Sequence, residues 1–322
     1  MENKYSEELR RTAVNRVLAK GYSQRSVAES LDIPRRTLRD WLSDSQYQGF
    51  ESHQYHLKVR INAQSAPSGN PVRVVGIGDA HDAPKLAHKA RFKWLGRYVH
   101  DLNPDYLIQI GDLLTLDSLC KYDRNDTLAG KIKPSFQDDM DSAHEALEVF
   151  DEGLQGWNGD KHVTLGNHEA RAESFSNRTP EMAGLLASKI DALLEDHEWT
   201  YSPFGMLHFI EGVAFVHVPI NRDGKPYRGI TAGSRIAKDA LHDIVYGHDH
   251  LGGLLSMPKI GFNRSVKVLN LGSALPNGYI EPYVGHAMSG WTYGVFEILI
   301  DGGCIQSAKH TSMYELERTY GD

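Results

Sequence analysis

Five short stretches of the chain set Asp, Asn or His directly behind apolar runs. GDAHD carries Asp79 and His81, GDLL carries Asp112, GNHE carries Asn167 and His168, FVHV carries His217, and GHDH carries His248 and His250. Imidazole nitrogens mixed with carboxylate and amide oxygens suit Mn, Fe or Zn, and the lack of thiolate speaks against a closed structural zinc site. Two divalent cations roughly 3.5–4 Å apart need a carboxylate between them, with imidazoles and oxygens completing each set. Composition alone would give D-x-H about once in a chain this long, G-H-x-H about 0.07 times, and G-N-H before an acid below about 0.01 times. The weight therefore rests on the later motifs and on their joint order. On extended backbone the two histidines of GHDH point the same way and Asp249 points away from them.

Taken in order, these stretches resemble the calcineurin-like metallophosphoesterases over roughly residues 72–300, and VLNLGS is similar to the segment that follows G-H-x-H in that family. The resemblance implies an α/β fold, a layered β-sandwich flanked by helices, and hydrolysis of phosphoesters with two divalent cations, Mn²⁺ first and Fe, Zn, Ni or Mg as alternatives. It implies that Asp79, His81 and His250 hold one metal, that Asn167, His217 and His248 hold the other, and that Asp112 bridges them. His168 is then no ligand; it sits by the leaving-group oxygen as acid or electrostatic clamp, while a metal-bound hydroxide attacks phosphorus in line. His168 and Asp112 are thus the catalytic candidates. One departure stands out: the family often has a second aspartate where this chain has Thr115, and Asp117 follows two residues later. The protein serine/threonine phosphatase elements G-D-Y-V-D-R-G and R-G-N-H-E are here GDLLTLD and LGNHE, which sets that branch aside.

Other polar residues have plainer readings. Arg171 is placed to touch a phosphate, or to pair with Glu169 or Glu173. Asp138, Asp139 and Asp141 fit a helix start, where acids cap and complement the dipole. His144, His162, His208 and His242 belong to no motif and read as surface or satisfied core residues.

The elements that must position the motifs follow from periodicity. From Pro71 onward strands alternate with helices: RVVGIGD, DYLIQIGD, HVTLGNHE, VAFVHV, DIVYGHDH and VKVLNLGS read as strands, KLAHKARFKWLGRYVHDL and DSAHEALEVFDEGL as helices. Such alternation predicts a layered α/β domain with function on loops beyond the carboxyl ends of strands. If the strands are neighbours, the motifs converge on one edge of a sheet.

The head of the chain differs. SEELRRTAVNRVLA has a helical stripe of Leu9, Ala13, Val17 and Leu18. SQRSVAESLDIPRRTLRDWL then predicts two further helices, with Ser23 as cap, Pro34 opening the third, and Val27, Ala28, Leu31, Ile33, Leu38 and Trp41 as core. This resembles the helix-turn-helix of transposases and homeodomain-like regulators, and presents Arg35, Arg36, Thr37 and Arg39 to DNA. The expected division is a helix-turn-helix over residues 1–45, a linker over 46–70 (with HLKVRINA as an alternative edge strand), and the phosphoesterase domain over 71–322.

The 322 residues carry a net charge of −7, with nine Lys/Arg against seven Asp/Glu in residues 1–45, so the remainder carries −9. A basic head on an acidic body suggests that the head has its own partner. Two distant cysteines argue against a disulfide framework or a thiolate metal site and suit a reducing cytoplasm; no secretory leader and no membrane span are expected. The combined expectation is a two-metal phosphodiesterase or nuclease brought to DNA, with homodimerisation an option. The alternatives are a phosphatase or small-nucleotide phosphodiesterase, and a DNA-binding regulator whose second domain is scaffold. Lys121, Arg124, Lys131 and Lys133, and then Arg222, Lys225 and Arg228, offer basic tracks near the motifs.

Overall fold

A computed structural model describes residues 5–18, 27–28, 30–42, 69–86, 88–121, 128–261, 264–280 and 290–321. The chain divides into two compact units, Met1–Lys58 and Val59–Asp322. The expected linker, apart from residues 69 and 70, lies outside the described residues, as do the HLKVRINA alternative, Ser23 and Arg124.

In the first unit, helix α1 (Glu7–Leu18) is opened by Ser6, whose hydroxyl accepts from the Leu9 amide, and α2 spans Arg35–Leu42. Val27, Ala28 and Ser30 are helical between them. That middle helix ends at Asp32, which is left-handed (φ 48°), while the Ile33 amide reaches back to the Ala28 carbonyl at 3.0 Å. This is a Schellman-type stop, and it makes the turn as tight as the sequence predicts. Ala13, Val14, Val27, Ala28, Ile33, Leu38 and Trp41 form the core. Arg35, Arg36 and Arg39 are exposed and Thr37 is half-buried.

Among the described residues the second unit contains two sheets. The first has the order β11-β10-β1-β2-β3-β4, from β1 (Val72–Ile77), β2 (Tyr106–Gln109), β3 (Asp160–Thr164), β4 (Thr200–Ser202), β10 (Gly294–Asp301) and β11 (Cys304–Ser312). The second has the order β5-β6-β7-β9-β8, from β5 (His208–Ile210), β6 (Val213–Phe215), β7 (Ile244–Tyr246), β8 (Gly253–Pro258) and β9 (Ser265–Asn270). β1 to β4 run parallel, as do β6, β7 and β9.

Strand alternation decides the layering. Val74, Ile108, Phe296 and Ile298 face Val213, Phe215, Val245 and Leu269 across the space between the sheets. Val75 and Leu107, their sequence neighbours, pack with Val163 on the opposite face against Phe92, Leu95 and Val99 of α3 (Ala90–Leu102) and Leu147 and Phe150 of α4 (Phe136–Leu154). On the outer face of the second sheet Ala214, Ile244 and Val268 cover Ile236 and Ala237 of the helix Ala232–Asp239. Strands buried on both faces read as continuous apolar runs, which is why VVGI, LIQI and IVY look as they do.

Two helix starts differ from expectation. KLAHKARFKWLGRYVHDL becomes helical only at Ala90; Leu86, ahead of the helix, packs with Ala83 and Leu275. The helix over DSAHEALEVFDEGL begins earlier, at Phe136, where Ser135 and Asp138 form a reciprocal capping box. Asp138 thus caps as predicted, whereas Asp139 turns inward and accepts from the Ser118 amide at 3.0 Å. Among the described residues no helix is long and apolar enough to cross a membrane.

Candidate metal centre

The five motifs do meet, but not on one sheet. Asp79 and His81, Asp112, and Asn167 with His168 follow β1, β2 and β3 of the first sheet, whereas His217 and the GHDH histidines follow β6 and β7 of the second. The expected convergence on one sheet edge is therefore corrected: the donors line a seam between two packed sheets. A parallel bridge between Asp79 and Ser273 stitches the seam, with the Ala274 amide on the Asp79 carbonyl at 2.8 Å.

Among the described residues, three groups of His and Asp have donor atoms within 4.8 Å of one another: Asp79, His81 and His250; His81, Asp112 and His168; Asp112, His217 and His248. In the first, His250 Nε2 lies 3.0 Å from Asp79 Oδ2 and 3.1 Å from His81 Nε2. In the last, His217 Nε2 lies 3.3 Å from Asp112 Oδ2 and 3.2 Å from Asn167 Oδ1. Asp112 Oδ2 is also 4.0 Å from His81 Nε2 and 3.8 Å from His168 Nε2, so one carboxylate oxygen faces both groups. Asp79 and His217 are wholly buried. Carboxylates and imidazoles brought together out of water are costly unless a cation or a proton lies among them. The donor set, nitrogen and oxygen without sulfur, fits two divalent ions of the Mn, Fe or Zn kind.

The backbone builds this crowding. His81, Asp112, His248 and His250 all have positive φ (47°, 50°, 72° and 56°). Asp and His tolerate this region better than most residues, and such departures gather at functional sites. GHDH is thus not the extended segment that the spacing suggested; its histidines reach the centre from left-handed turns after β7 has ended. Asp249 nonetheless points away, its Oδ1 accepting from the Gly229 amide at 3.0 Å. The motif glycines are needed for approach: a Cβ on Gly166 would stand 2.1 Å from Asp112 Oδ1, and one on Gly247 would stand 2.4 Å from Asp79 Oδ1.

Charge is tuned by the same packing. Burial works against a charged His217, but Asp112 and Asp79 outweigh it and raise it to about 9. Burial likewise pushes Asp112 up, and the His217 and His168 rings more than reverse this, leaving it well below its usual range. His81 is held well below its ordinary value by burial and by His168; burial and His217 take His248 down to about 4, with Arg228 acting in the same direction. His217 Nδ1 lies 3.0 Å from the Ile110 carbonyl, an arrangement that aims Nε2 at the centre.

His168 stands with His81 and Asp112 in the second of these groups. Its Nδ1 lies 2.8 Å from the Thr115 carbonyl, leaving Nε2 toward Asp112. Thr115, the departure from the family pattern, serves through its backbone. Arg171 pairs with neither Glu169 nor Glu173: Nη1 donates to the Thr115 carbonyl at 2.8 Å and lies 3.8 Å from Asp117, while Nη2 is 3.4 Å from His168 Nε2.

Sequence reasoning passed over two supports. Glu169 accepts from the amides of Asp112 (3.0 Å), Leu114 (2.9 Å) and Gly166 (2.7 Å), fastening two motif loops together; burial, then Asp112, raises it to about 7. The acid of GNHE was its only signal. Arg91, fully buried, donates to the carbonyls of Ala80 (2.7 Å) and Ala274 (3.1 Å) and so braces the Asp79–His81 turn. Nothing in its helical context marked it out.

Of the basic tracks, Arg222, Lys225 and Arg228 are exposed on a loop whose Asn221 side chain accepts from the amides of Asp223 and Lys225. Lys121 and Lys131 are also exposed, and Lys133 donates to the Cys120 carbonyl.

Comparison with known proteins bears on the first unit. Residues 1–64 match a helix-turn-helix family described as transposase. No curated protein matches the chain. Among solved structures, a similar one is GAP50, the anchor in the inner membrane complex of Plasmodium, at 9% identity over 75% of this chain and 89% of that one; its TM-score of 0.25 is too low to carry an argument.

Proposed function

We propose that residues 71–322 form a two-metal phosphodiesterase of the calcineurin-like metallophosphoesterase kind, acting on nucleic acid and DNA in particular, and that the N-terminal helix-turn-helix delivers the substrate. The observation that carries this reading is Asp112: one buried carboxylate oxygen facing His217 on one side and His81 on the other. Asp79, His81 and His250 would hold one cation, Asn167, His217 and His248 the other, and Asp112 both. Two bound divalent cations, Mn²⁺ first among Mn, Fe, Zn, Ni and Mg, would supply Lewis acidity to activate water and to neutralise charge on the phosphoryl group. His168, oriented by the Thr115 carbonyl, directs Nε2 toward a leaving oxygen, as acid when its ring carries both hydrogens or as electrostatic clamp. Arg171 Nη2, beside that nitrogen, is placed to meet a phosphate oxygen.

The transposase match supports DNA as the partner of the first unit, with Arg35, Arg36, Thr37 and Arg39 on its last helix. Tethering would raise the substrate concentration at the centre without tightening the centre itself. Arg222, Lys225 and Arg228 support a positive approach on an otherwise acidic unit. That acidity favours a second reading, hydrolysis of small nucleotides or phosphomonoesters. A purely regulatory role is the weaker alternative, since it leaves a buried donor set without use.

The test is a metal-screened assay on single- and double-stranded DNA, RNA, nucleotides, and bis- and mono-p-nitrophenyl phosphate, with the full chain and its Arg35→Ala/Arg36→Ala variant. Mn²⁺-dependent DNA cleavage that weakens in the variant, with the chromogenic diester unaffected, is expected. Intact DNA alongside active monoester hydrolysis would favour the second reading.

A further inference from the structure

Two loops at the rim of the motif seam combine apolar and basic side chains. The turn over residues 203–207 joins β4 of the first sheet to β5 of the second. It starts beside the GNHE loop, where the Leu165 amide donates to the Ser202 carbonyl at 2.8 Å. From this turn the Phe204 ring approaches the His217 ring, with centroids 6.3 Å apart, and Met206 stands exposed (41%). The other loop leaves His217 and closes as a small hairpin, in which Ile220 bridges Pro226 and the Asn221 amide donates to the Lys225 carbonyl at 2.8 Å. The loops meet where Ile220, itself 38% exposed, lies against Gly205; a Cβ there would stand 3.1 Å from Ile220 Cγ1.

The hairpin is held at its base from two sides. The Tyr227 hydroxyl donates to Asp239 at 2.6 Å, and Asp249 of the GHDH turn accepts from the Gly229 amide at 3.0 Å. Arg222, Lys225 and Arg228 are exposed on it and form no ion pair among the described residues. Each proposed ligand of the second cation thus has one of these loops beside it. Asn167 follows the Leu165–Ser202 bond, His217 faces Phe204, and His248 adjoins the Asp249–Gly229 bond.

An exposed apolar patch rimmed by charge marks a binding face. A phosphate alone would need only the cations, so the apolar side chains call for a flat apolar group close to a phosphate. A nucleobase is such a group, but in a duplex its faces are covered by stacking, whereas a single strand offers them. We propose that this face takes single-stranded DNA, with an unstacked base on Phe204 and Ile220 and the flanking phosphates on Arg222, Lys225 and Arg228. The proposal deepens the nuclease reading above and rests on it for the place of the scissile phosphate.

The test measures binding of a short fluorescent oligonucleotide by anisotropy, in chelator so that hydrolysis plays no part. Every protein is full length and carries Arg35→Ala/Arg36→Ala, which quiets the helix-turn-helix. The single strand should bind more tightly than the duplex of the same sequence. Phe204→Ala should weaken the single strand about fivefold or more, the effect of losing one base–aromatic stack. Ile220→Ser, a change at an exposed position, should weaken it in the same direction and decides the matter if Phe204→Ala does not fold. Arg222→Ala/Lys225→Ala should lower the slope of log affinity against log salt by about 1.4, the share of two phosphate contacts on a single strand. Equal affinity for the duplex, or single-strand binding unchanged in both shelf variants, would overturn the proposal. So would competition by a mononucleotide as strong as by the strand, which would point to small nucleotides. The expected binding pattern without Mn²⁺-dependent cleavage in the unmutated chain would sink the nuclease reading while the DNA-binding face stands, so the two failures are told apart.

Discussion

His217 and Asp112 belong to loops of different sheets, yet His217 Nε2 stands 3.3 Å from Asp112 Oδ2. If that oxygen bridges two cations, Asp112→Asn should cut Mn²⁺-dependent diester hydrolysis by more than about 100-fold, beyond the cost of losing a supporting contact. It should also lower the bound metal below two equivalents. Retention of both metals with near-normal turnover would rule out the bridging role.

The GHDH turn separates its members. His248→Ala and His250→Ala should each lose metal and activity. Asp249→Ala gives up only the hydrogen bond to the Gly229 amide, a cost of about 1 kcal/mol, and should keep both metals. Metal analysis beside thermal unfolding would distinguish the three, and an inactive Asp249→Ala that still folds would contradict the geometry.

His168 and Arg171 differ in kind. His168→Ala should retain metal yet lose about 10²- to 10⁴-fold in kcat, the range for a positioned acid. Arg171→Ala removes the contact with the Thr115 carbonyl and should raise KM for phosphodiesters more than it lowers kcat. A loss of metal in His168→Ala would instead make it a ligand.

Stability should depend on pH through a pair remote from the centre. His162 on β3 and His208 on β5 stack across the sheets, ring centroids 3.6 Å apart and planes at 15°. Burial, with His208, holds His162 well below its ordinary value, and burial brings His208 to about 4 against the pull of Asp160. Folded values below the unfolded 6.5 mean that the unfolded chain takes up protons first. The stabilising effect is thus complete above about pH 6.5 and is lost as pH falls toward 4. Urea unfolding across that window should show a shallower loss in His208→Gln, and parallel profiles would refute the assignment.

Much of this was legible in the sequence, for reasons that differ by scale. The donors sit in contiguous motifs, so which side chains converge could be read locally; the helix-turn-helix likewise, because its core repeats at helical spacing from Leu9 to Trp41, and the transposase match agrees. The partition of β6 and β7 into a second sheet could not, since strand pairing is a choice among distant partners that periodicity does not record. Glu169 was invisible as a brace because its partners are backbone amides, two of them more than fifty residues away. The left-handed turns at His248 and His250 escaped the strand rule for a related reason: the chain bends after β7 to satisfy the seam, against local preference.

If the centre holds cations as proposed, a donor set shared by two sheets also makes it a fastener. Each sheet alone carries only part of the set, so cations that bind only the docked arrangement would lower the population of states in which the sheets part. Native-state hydrogen exchange should report this as a merging of two foldons: in chelator the amides of β6 and β7 would open separately from those of β1 and β2, and with Mn²⁺ restored all four strands would exchange with one common opening energy.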